Sequence, residues 1–180
     1  MTRWLLWILA GALLGGIVHL STVLLLPRTA SQDAYARLSP ITPVNAFALV
    51  PDPTPANSIL PFMDPAFAVA VCRYDLTNGP MKLSAPLSQA YTSVTFYTRY
   101  GVAYYGINDR AAGRRVIELD LMTTAQRDAL PEEEDVTAAD RLIIESPTVT
   151  GLIVVRALSP EPGLMPMARA SLERARCQTQ

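Results

Sequence analysis

The strongest constraint on this chain is a run of 23 residues without a charged side chain, Trp4–Leu26. At a rise of about 1.5 Å per residue, a helix of this length crosses a hydrocarbon core of about 30 Å. A cleavable signal peptide is the alternative, but its apolar region is normally about 7–15 residues, and Arg28 fits poorly at a small-residue cleavage site. We therefore expect residues 1–3 to be a cytoplasmic tail and residues 4–26 to be an uncleaved transmembrane helix.

The orientation of this helix depends on the charges that flank it. Arg3 precedes the apolar run, and Arg28 and Arg37 follow it, so the count of positive charges is nearly balanced. A very short N-terminal tail before a large following domain favours an N-in orientation. We expect a single-pass protein with its domain outside the cytoplasm.

One face of the predicted helix carries small residues and a histidine. Gly11, Gly15 and His19 are spaced four residues apart, so they share a stripe along which another helix could approach closely. This pattern predicts self-association or contact with another envelope protein. The simpler interpretation is that glycine is common in spanning helices and that His19 reaches the lipid headgroups.

Charge and histidine content exclude several function classes. The net charge of −1 does not favour nucleic acid as a partner. His19 is the only histidine and lies in the apolar run, so the rest of the chain cannot build a Ser-His-Asp site or a histidine-ligated metal site. The acidic run 132–135 could attract a cation, but without alternating ligand spacing a solvated loop is the simpler interpretation. We predict no metal and no cofactor.

The remainder of the chain divides into two parts. Residues 27–55 are rich in proline, which excludes regular helix beyond a short turn, and we expect an extended segment there. Its apolar residues are too many for a solvated linker, so the segment should lie across the surface of a domain that spans residues 56–180. An edge strand is possible within Val44–Val50.

Alternating apolar residues predict a mainly β domain. Asn78-Gly79 predicts a turn, Gly101 predicts a chain reversal, and Thr123-x-x-Gln126 has the form of a helix capping box. A second helix is expected over Met165–Arg176. The predicted strands are Ala66–Asp75, Met81–Leu83, Tyr91–Tyr97, Val102–Asn108, Val116–Leu121, Arg141–Glu145 and Gly151–Leu158. This order predicts an antiparallel sandwich or jelly-roll-like sheet with two short helices.

The two cysteines are candidates for a disulfide. Cys72 lies in the first long strand and Cys177 follows the last helix. If the domain lies outside the cytoplasm, two cysteines and no others indicate one bond between them. A buried thiol at Cys72 and a free thiol at Cys177 are the alternative.

A tyrosine-rich hairpin is the candidate ligand site. It contains Tyr97, Arg99, Tyr100, Tyr104 and Tyr105, and such groups around a turn could line a pocket for a sugar, a lipid headgroup or a carboxylate. The simpler interpretation is that tyrosines pair well across strands.

Three carboxylates are the weak candidates for catalysis. Asp75 ends a strand, and Glu118 and Asp120 share one face of another. Paired carboxylates can hydrolyse glycosidic bonds, but alternating charges on an exposed strand explain these residues equally well.

The central block resembles a known bacterial family, called domain of unknown function 1254 and often paired with domain of unknown function 1214. The matching residues are Tyr74-Asp75-Leu76, Gly79-Pro80, Leu83–Pro86 and Tyr91–Tyr97. Where larger members carry an Asn-Arg-Asp-type segment, only Asp64 corresponds. The resemblance implies a β-rich cell-envelope protein, here a short membrane-anchored version in the bacterial inner membrane with its domain in the periplasm.

Together these features predict a single-span envelope protein with a non-enzymatic interaction or binding domain. Its partners would be the membrane and another envelope protein or a second copy of itself. The alternative is a carboxylate-dependent hydrolase that acts on envelope polysaccharide or a related polymer.

Overall fold

The computed structural model of this protein describes residues 2–112, 115–130 and 142–179. The chain separates into two compact units, Met1–Asp33 and Ala34–Gln180.

The first unit is built on one long helix, α1 (Thr2–Thr29), with no buried residue. Among the described residues it is the one helix long and apolar enough to cross a membrane. Its exposed leucines and tryptophans explain this, since their burial in lipid would remove a large apolar surface from water. The long apolar helix predicted from the sequence is confirmed.

The second unit is mainly β, as predicted. Its short helices are α2 (Ala34–Leu38), α3 (Asp109–Ala112), α4 (Thr124–Asp128) and α5 (Met165–Leu172), the last following a 3₁₀ turn at Pro162–Leu164. Its strands are β1 (Phe47–Leu49), β2 (Phe67–Asp75), β3 (Met81–Pro86), β4 (Thr92–Thr98), β5 (Ala103–Asn108), β6 (Val116–Thr123), β7 (Leu142–Ser146), β8 (Thr150–Leu158) and β9 (Arg176–Thr179).

Five strands form one antiparallel sheet in the order β1-β2-β8-β4-β5. The central strand β8 pairs with β2 from Thr150 opposite Asp75 to Leu158 opposite Phe67, and with β4 on its other side. The predicted hairpin of β4 and β5 is confirmed, and Gly101 takes a φ of 78° where the chain reverses.

The other four strands form a second sheet in the order β7-β6-β3-β9. Its β6–β7 pair is parallel, with Leu119 opposite Leu142, whereas an antiparallel arrangement was expected throughout. A parallel pair needs a long connection that returns the chain to the same end of the sheet, and the stretch from Thr123 to Leu142 is long enough to provide one.

The two sheets pack face to face around one core. Alternate residues of most strands point into it, including Ala70 and Cys72 of β2, Leu83 of β3, and Leu119 and Leu121 of β6. This alternation is what the strand period of two demands when one face of each sheet is covered. The predicted β sandwich is therefore confirmed.

Both helices predicted from the sequence are present, but the second is shorter than expected. The capping box is present: the Thr123 hydroxyl accepts from the Gln126 N–H, and the Gln126 side chain accepts from the Thr123 N–H. The helix expected over Met165–Arg176 stops at Leu172, because the chain turns there into β9, which pairs antiparallel with β3.

The turn predicted at Asn78-Gly79 is present, with Gly79 at a φ of 140°. It joins β2 and β3, which lie in different sheets and do not pair with each other. The turn therefore carries the chain across the sandwich.

Candidate functional site

An apolar cleft lies on the outer face of the five-stranded sheet. Its volume is about 340 Å³, near the lower end of the range of small-molecule sites, roughly 300–1,000 Å³. Val69 and Val71 of β2 and Leu152 and Val154 of β8 form its floor, because every second residue of these strands faces away from the sandwich core. The cleft therefore exists because the outer sheet face is as apolar at these positions as the inner one.

The proline-rich segment and α2 cover this face. Leu38 of α2 and Val50 are fully buried on it, and Ile59, Leu60 and Met63 pack beside them. The Val50 N–H donates to the Val69 carbonyl at 2.8 Å, which fixes the segment on β2. The space between these residues and the sheet is the cleft.

Two cation–π contacts hold α2 against the sheet beside the cleft. The guanidinium carbons of Arg73 and Arg99 lie 5.3 Å and 4.1 Å from the ring centre of Tyr35. Arg73 Nε also donates to the Thr42 carbonyl at 2.9 Å. Cations over a tyrosine face are attracted by its π electrons, so these contacts stabilise the position of α2.

The polar lining of the cleft is sparse. Arg156 of β8 and Asp64, just before β2, are its charged residues, and Tyr97 of β4 contributes an aromatic ring. Phe62 lies at the edge, fully exposed and with a φ of 59°, in the left-handed region that a phenylalanine seldom adopts. The Phe62 ring is therefore solvent-exposed beside the apolar cleft.

The structure separates the five residues of the predicted tyrosine-rich site. Tyr97 lines the cleft, Arg99 stacks on Tyr35, and Tyr100 is exposed at the hairpin turn. Tyr104 and Tyr105 pack on the sandwich core, with ring centres 6.2 Å and 5.9 Å from that of Phe96. Among the described residues, Tyr97 and Tyr105 line different cavities.

A β-bulge explains this separation. The register shifts between Phe96 and Tyr97, so that Phe96 lies opposite Tyr105 and Tyr97 lies opposite Ala103. The extra residue, Tyr104, places two consecutive tyrosines of β5 against the same core, although neighbours in a regular strand face opposite sides.

Tyr104 belongs to a network of buried hydroxyl groups at one end of the sandwich. Its hydroxyl donates to that of Tyr74 at 3.2 Å, and the Tyr74 and Ser146 hydroxyls are 2.8 Å apart. Burial, and then the neighbouring Tyr74, raise the pKa of Tyr104 far above its usual value of 10.0. A phenol with a raised pKa is a poor proton donor for catalysis, and the Tyr104–Tyr74 hydrogen bond links β5 to β2.

The three candidate carboxylates are distributed over both sheets. Asp75 ends β2 in the five-stranded sheet, whereas Glu118 and Asp120 lie on β6 in the four-stranded sheet. The Thr77 hydroxyl and N–H donate to the Asp75 carboxylate and lower its pKa. A general acid requires the opposite shift. Asp120 is largely buried opposite Lys82 of β3, and Glu118 is exposed opposite Ser84.

Cys72 and Cys177 form a disulfide, with their Cα atoms 6.5 Å apart. Cys72 belongs to the five-stranded sheet and Cys177 to β9 of the four-stranded sheet, and both are buried. The bond therefore crosses the core and joins the two sheets. Such a bond fits a domain outside the cytoplasm.

The remaining candidate residues lie in α1 or outside the described residues. Gly11, Gly15 and His19 are exposed on α1, and helix contact through them stays a prediction. The acidic run 132–135 falls outside the described residues. Within the described ranges, no group of three or more histidine, cysteine or carboxylate residues is placed to hold a metal.

Sequence reasoning missed the residues that build the cleft. The signals were present in part: β8 alternates Leu152, Val154 and Arg156 on its outer face, and the proline-rich segment is unusually apolar. Asp64 and Arg156 are far apart in sequence, so no local pattern could show that they line the same cleft.

The fold and this site define a class: a β-sandwich domain preceded by a helix able to cross a membrane, with an apolar cleft on one outer sheet face. The chain belongs to the family described as protein of unknown function, DUF1254, whose model matches residues 44–179. The family resemblance predicted from the central block is therefore confirmed.

Two solved structures resemble this fold. The VPA0106 protein from Vibrio parahaemolyticus is 12% identical with a TM-score of 0.60, over 82% of this chain and 34% of that one. An uncharacterised protein from Burkholderia cenocepacia is 13% identical with a TM-score of 0.48, over 71% of this chain and 34% of that one. The chain thus spans about a third of the length of these proteins. No curated protein matches the sequence.

Proposed function

We propose that this protein is a non-enzymatic binding protein held at a membrane by α1, and that its β domain binds an apolar ligand in the cleft beneath the proline-rich segment. The observation that supports this most directly is the cleft itself. Its floor is formed by Val69, Val71, Leu152 and Val154, of which Val69 and Val154 remain partly exposed. Burying this apolar surface against an apolar ligand contributes about 25 cal/mol per Å².

The domain organisation and location belong to the same proposal. We place a short tail at residues 1–3, the spanning segment at 4–26, the extended segment at 27–55 and the domain at 56–180. The N terminus would lie in the cytoplasm of a bacterium and the domain in the periplasm, with α1 in the inner membrane. The disulfide between the two sheets supports an oxidising compartment. A reporter active only in the cytoplasm, fused after the last residue and found to be active, would overturn this orientation.

A hydrolase is less well supported by the geometry. Asp75 lies on a different sheet from Glu118 and Asp120, and its pKa is lowered instead of raised. Catalysis would need a proton donor at neutral pH, which a carboxyl of low pKa does not provide. Each single alanine variant at these three positions should still correct the phenotype of gene loss. A folded variant that does not correct it would favour the hydrolase.

The binding proposal can be tested with a reporter at the edge of the cleft. Because both native cysteines are paired, a Phe62→Cys substitution supplies one labelling site at a fully exposed position. The labelled full-length protein, in nanodiscs, is titrated with tetradecanol, a neutral amphiphile with one alkyl chain. We expect a saturable fluorescence change.

A matched pair of substitutions shows whether the signal comes from the cleft. Val154→Phe fills the floor of the cleft and should weaken binding by about tenfold or more, since the lost apolar contact is worth over 1.4 kcal/mol. Val149→Phe makes the same change at an exposed position in the loop before β8 and should have no effect. Equal affinities for the two variants, or no saturable signal in the parent protein, would contradict the proposal.

A further inference from the structure

The cleft is apolar at one end and charged at the other. Along the outer face of β8, Leu152 and Val154 are followed by Arg156, each two residues from the next, or about 7 Å. Leu152 is buried under α2, whereas Arg156 is exposed. Polarity therefore rises in one direction along the strand.

The guanidinium of Arg156 is available to a ligand. Among the described residues, no hydrogen bond or ion pair involves its side chain. Its neighbours across the sheet are Val69 of β2 and Ser93 of β4, neither of which is charged. An arginine beside an apolar floor can form paired hydrogen bonds with a phosphate or carboxylate.

Asp64 supplies the opposite charge at the same end of the cleft. It lies just before β2, where the Phe67 N–H donates to its carbonyl at 3.2 Å. Phe67 pairs with Leu158, two residues beyond Arg156, so the two charged residues belong to the same end of the β2–β8 pair. One carboxylate oxygen of Asp64 accepts from the Ala66 N–H at 2.9 Å, which leaves the other oxygen for a ligand.

Together these features fit a ligand with three parts: an apolar chain, an anionic group and a cationic group. We infer that the cleft binds one acyl chain of a zwitterionic phospholipid, with the phosphate at Arg156 and the ammonium group at Asp64. The chain would lie on Val154 and Val69, the partly exposed residues of the cleft floor. A volume of about 340 Å³ suits one chain better than two. This inference rests on the proposed function, because it names the ligand of the same cleft, and α1 would keep the domain where such lipids are abundant.

The test uses four amphiphiles with the same tetradecyl chain and different heads: phosphoethanolamine, phosphate, trimethylammonium and hydroxyl. Each is titrated into the full-length Phe62→Cys protein carrying the same label. We expect the phosphoethanolamine head to bind most tightly and the hydroxyl head most weakly.

Two variants, each of which removes one charge, test which residue binds the phosphate and which binds the ammonium group. Arg156→Gln should weaken binding of the two phosphate-bearing heads by about threefold, as for an exposed charge pair, and leave the alcohol unchanged. Asp64→Asn keeps the acceptor for the Ala66 N–H, so the loop should be retained, and it should weaken binding only of heads that carry the ammonium group.

The outcomes separate this inference from the proposed function. If the alcohol and all three charged amphiphiles bind equally, the cleft binds apolar chains only, and recognition of a zwitterionic head is refuted. If phosphoethanolamine binds most tightly but neither variant changes its affinity, the placement of the head at Arg156 and Asp64 is wrong. If no amphiphile gives a saturable signal, the proposed function fails as well.

Discussion

Removing the disulfide should destabilise the domain more than most single changes can. Cys72 and Cys177 are separated by 105 positions, so their bond closes a very long loop. In the chain-entropy model, a cross-link that closes a loop of about this size raises the free energy of the unfolded state by about 4.7 kcal/mol at 25 °C. Because a domain of this size has a total stability of about 5–15 kcal/mol, the double substitution Cys72→Ala/Cys177→Ala should remove a third or more of it.

The expected loss can be measured by urea unfolding of the full-length protein. With an m value of about 2 kcal/mol per M, a loss of 4.7 kcal/mol lowers the midpoint by about 2 M. In thermal unfolding, a shift of about 2–4 °C per kcal/mol gives a decrease of about 10–20 °C. The change in the circular dichroism signal follows the unfolding.

Reduction provides the matched control. A reducing agent should lower the midpoint of the parent protein towards that of the double variant and leave the double variant unchanged. The reasoning fails if the oxidised parent protein and the double variant unfold at the same urea concentration. It also fails if both thiols of the folded parent protein react with a labelling reagent without prior reduction.

Two further changes test the interior and the pH dependence of the domain. Gly151→Ala should destabilise the domain by about 2 kcal/mol or more, because a Cβ there would overlap the Tyr74 hydroxyl and the Tyr97 carbonyl, and urea unfolding measures the loss. Asp75→Asn should lower the free energy of unfolding at pH 7, because Thr77 donates to the ionised carboxylate and lowers its pKa below the ordinary 3.8. A lowered pKa contributes stability above pH 3.8 that is lost as the pH falls through the folded-state pKa, so the difference between parent and variant should shrink as the pH falls below 3.8. A constant difference from pH 7 to pH 2 would contradict this assignment.

Local patterns were sufficient to predict much of the β domain. Alternation along Thr92–Thr98 reflects the deeper burial of one face, whereas the apolar residues on both faces of Phe67–Asp75 reflect cover on both sides. The capping box at Thr123 depends on residues three positions apart. The cysteines could be paired from their number alone, given an oxidising compartment. In each of these cases the physical cause lies within a few neighbouring residues or in the composition.

The missed features depend on partners that are distant in sequence. β9 is only four residues long and has little alternation, and its conformation is set by pairing with β3 and by the bond at Cys177. The parallel pairing of β6 with β7 joins residues as far apart in sequence as Leu119 and Leu142. The orientation of the hairpin tyrosines depends on a single bulged residue, Tyr104, which changes the side of the sheet that the hairpin residues face.

The position of β8 has a consequence for how the chain can assemble. β2 and β4 flank β8 on its two sides, yet both are synthesised long before it. Until Thr150–Leu158 emerges, each of these strands has an open edge that offers unpaired N–H and carbonyl groups to any other extended chain. Completing the sheet late, through contacts between distant residues, makes folding slow, so a chain that stalls before β8 is the species most exposed to aggregation.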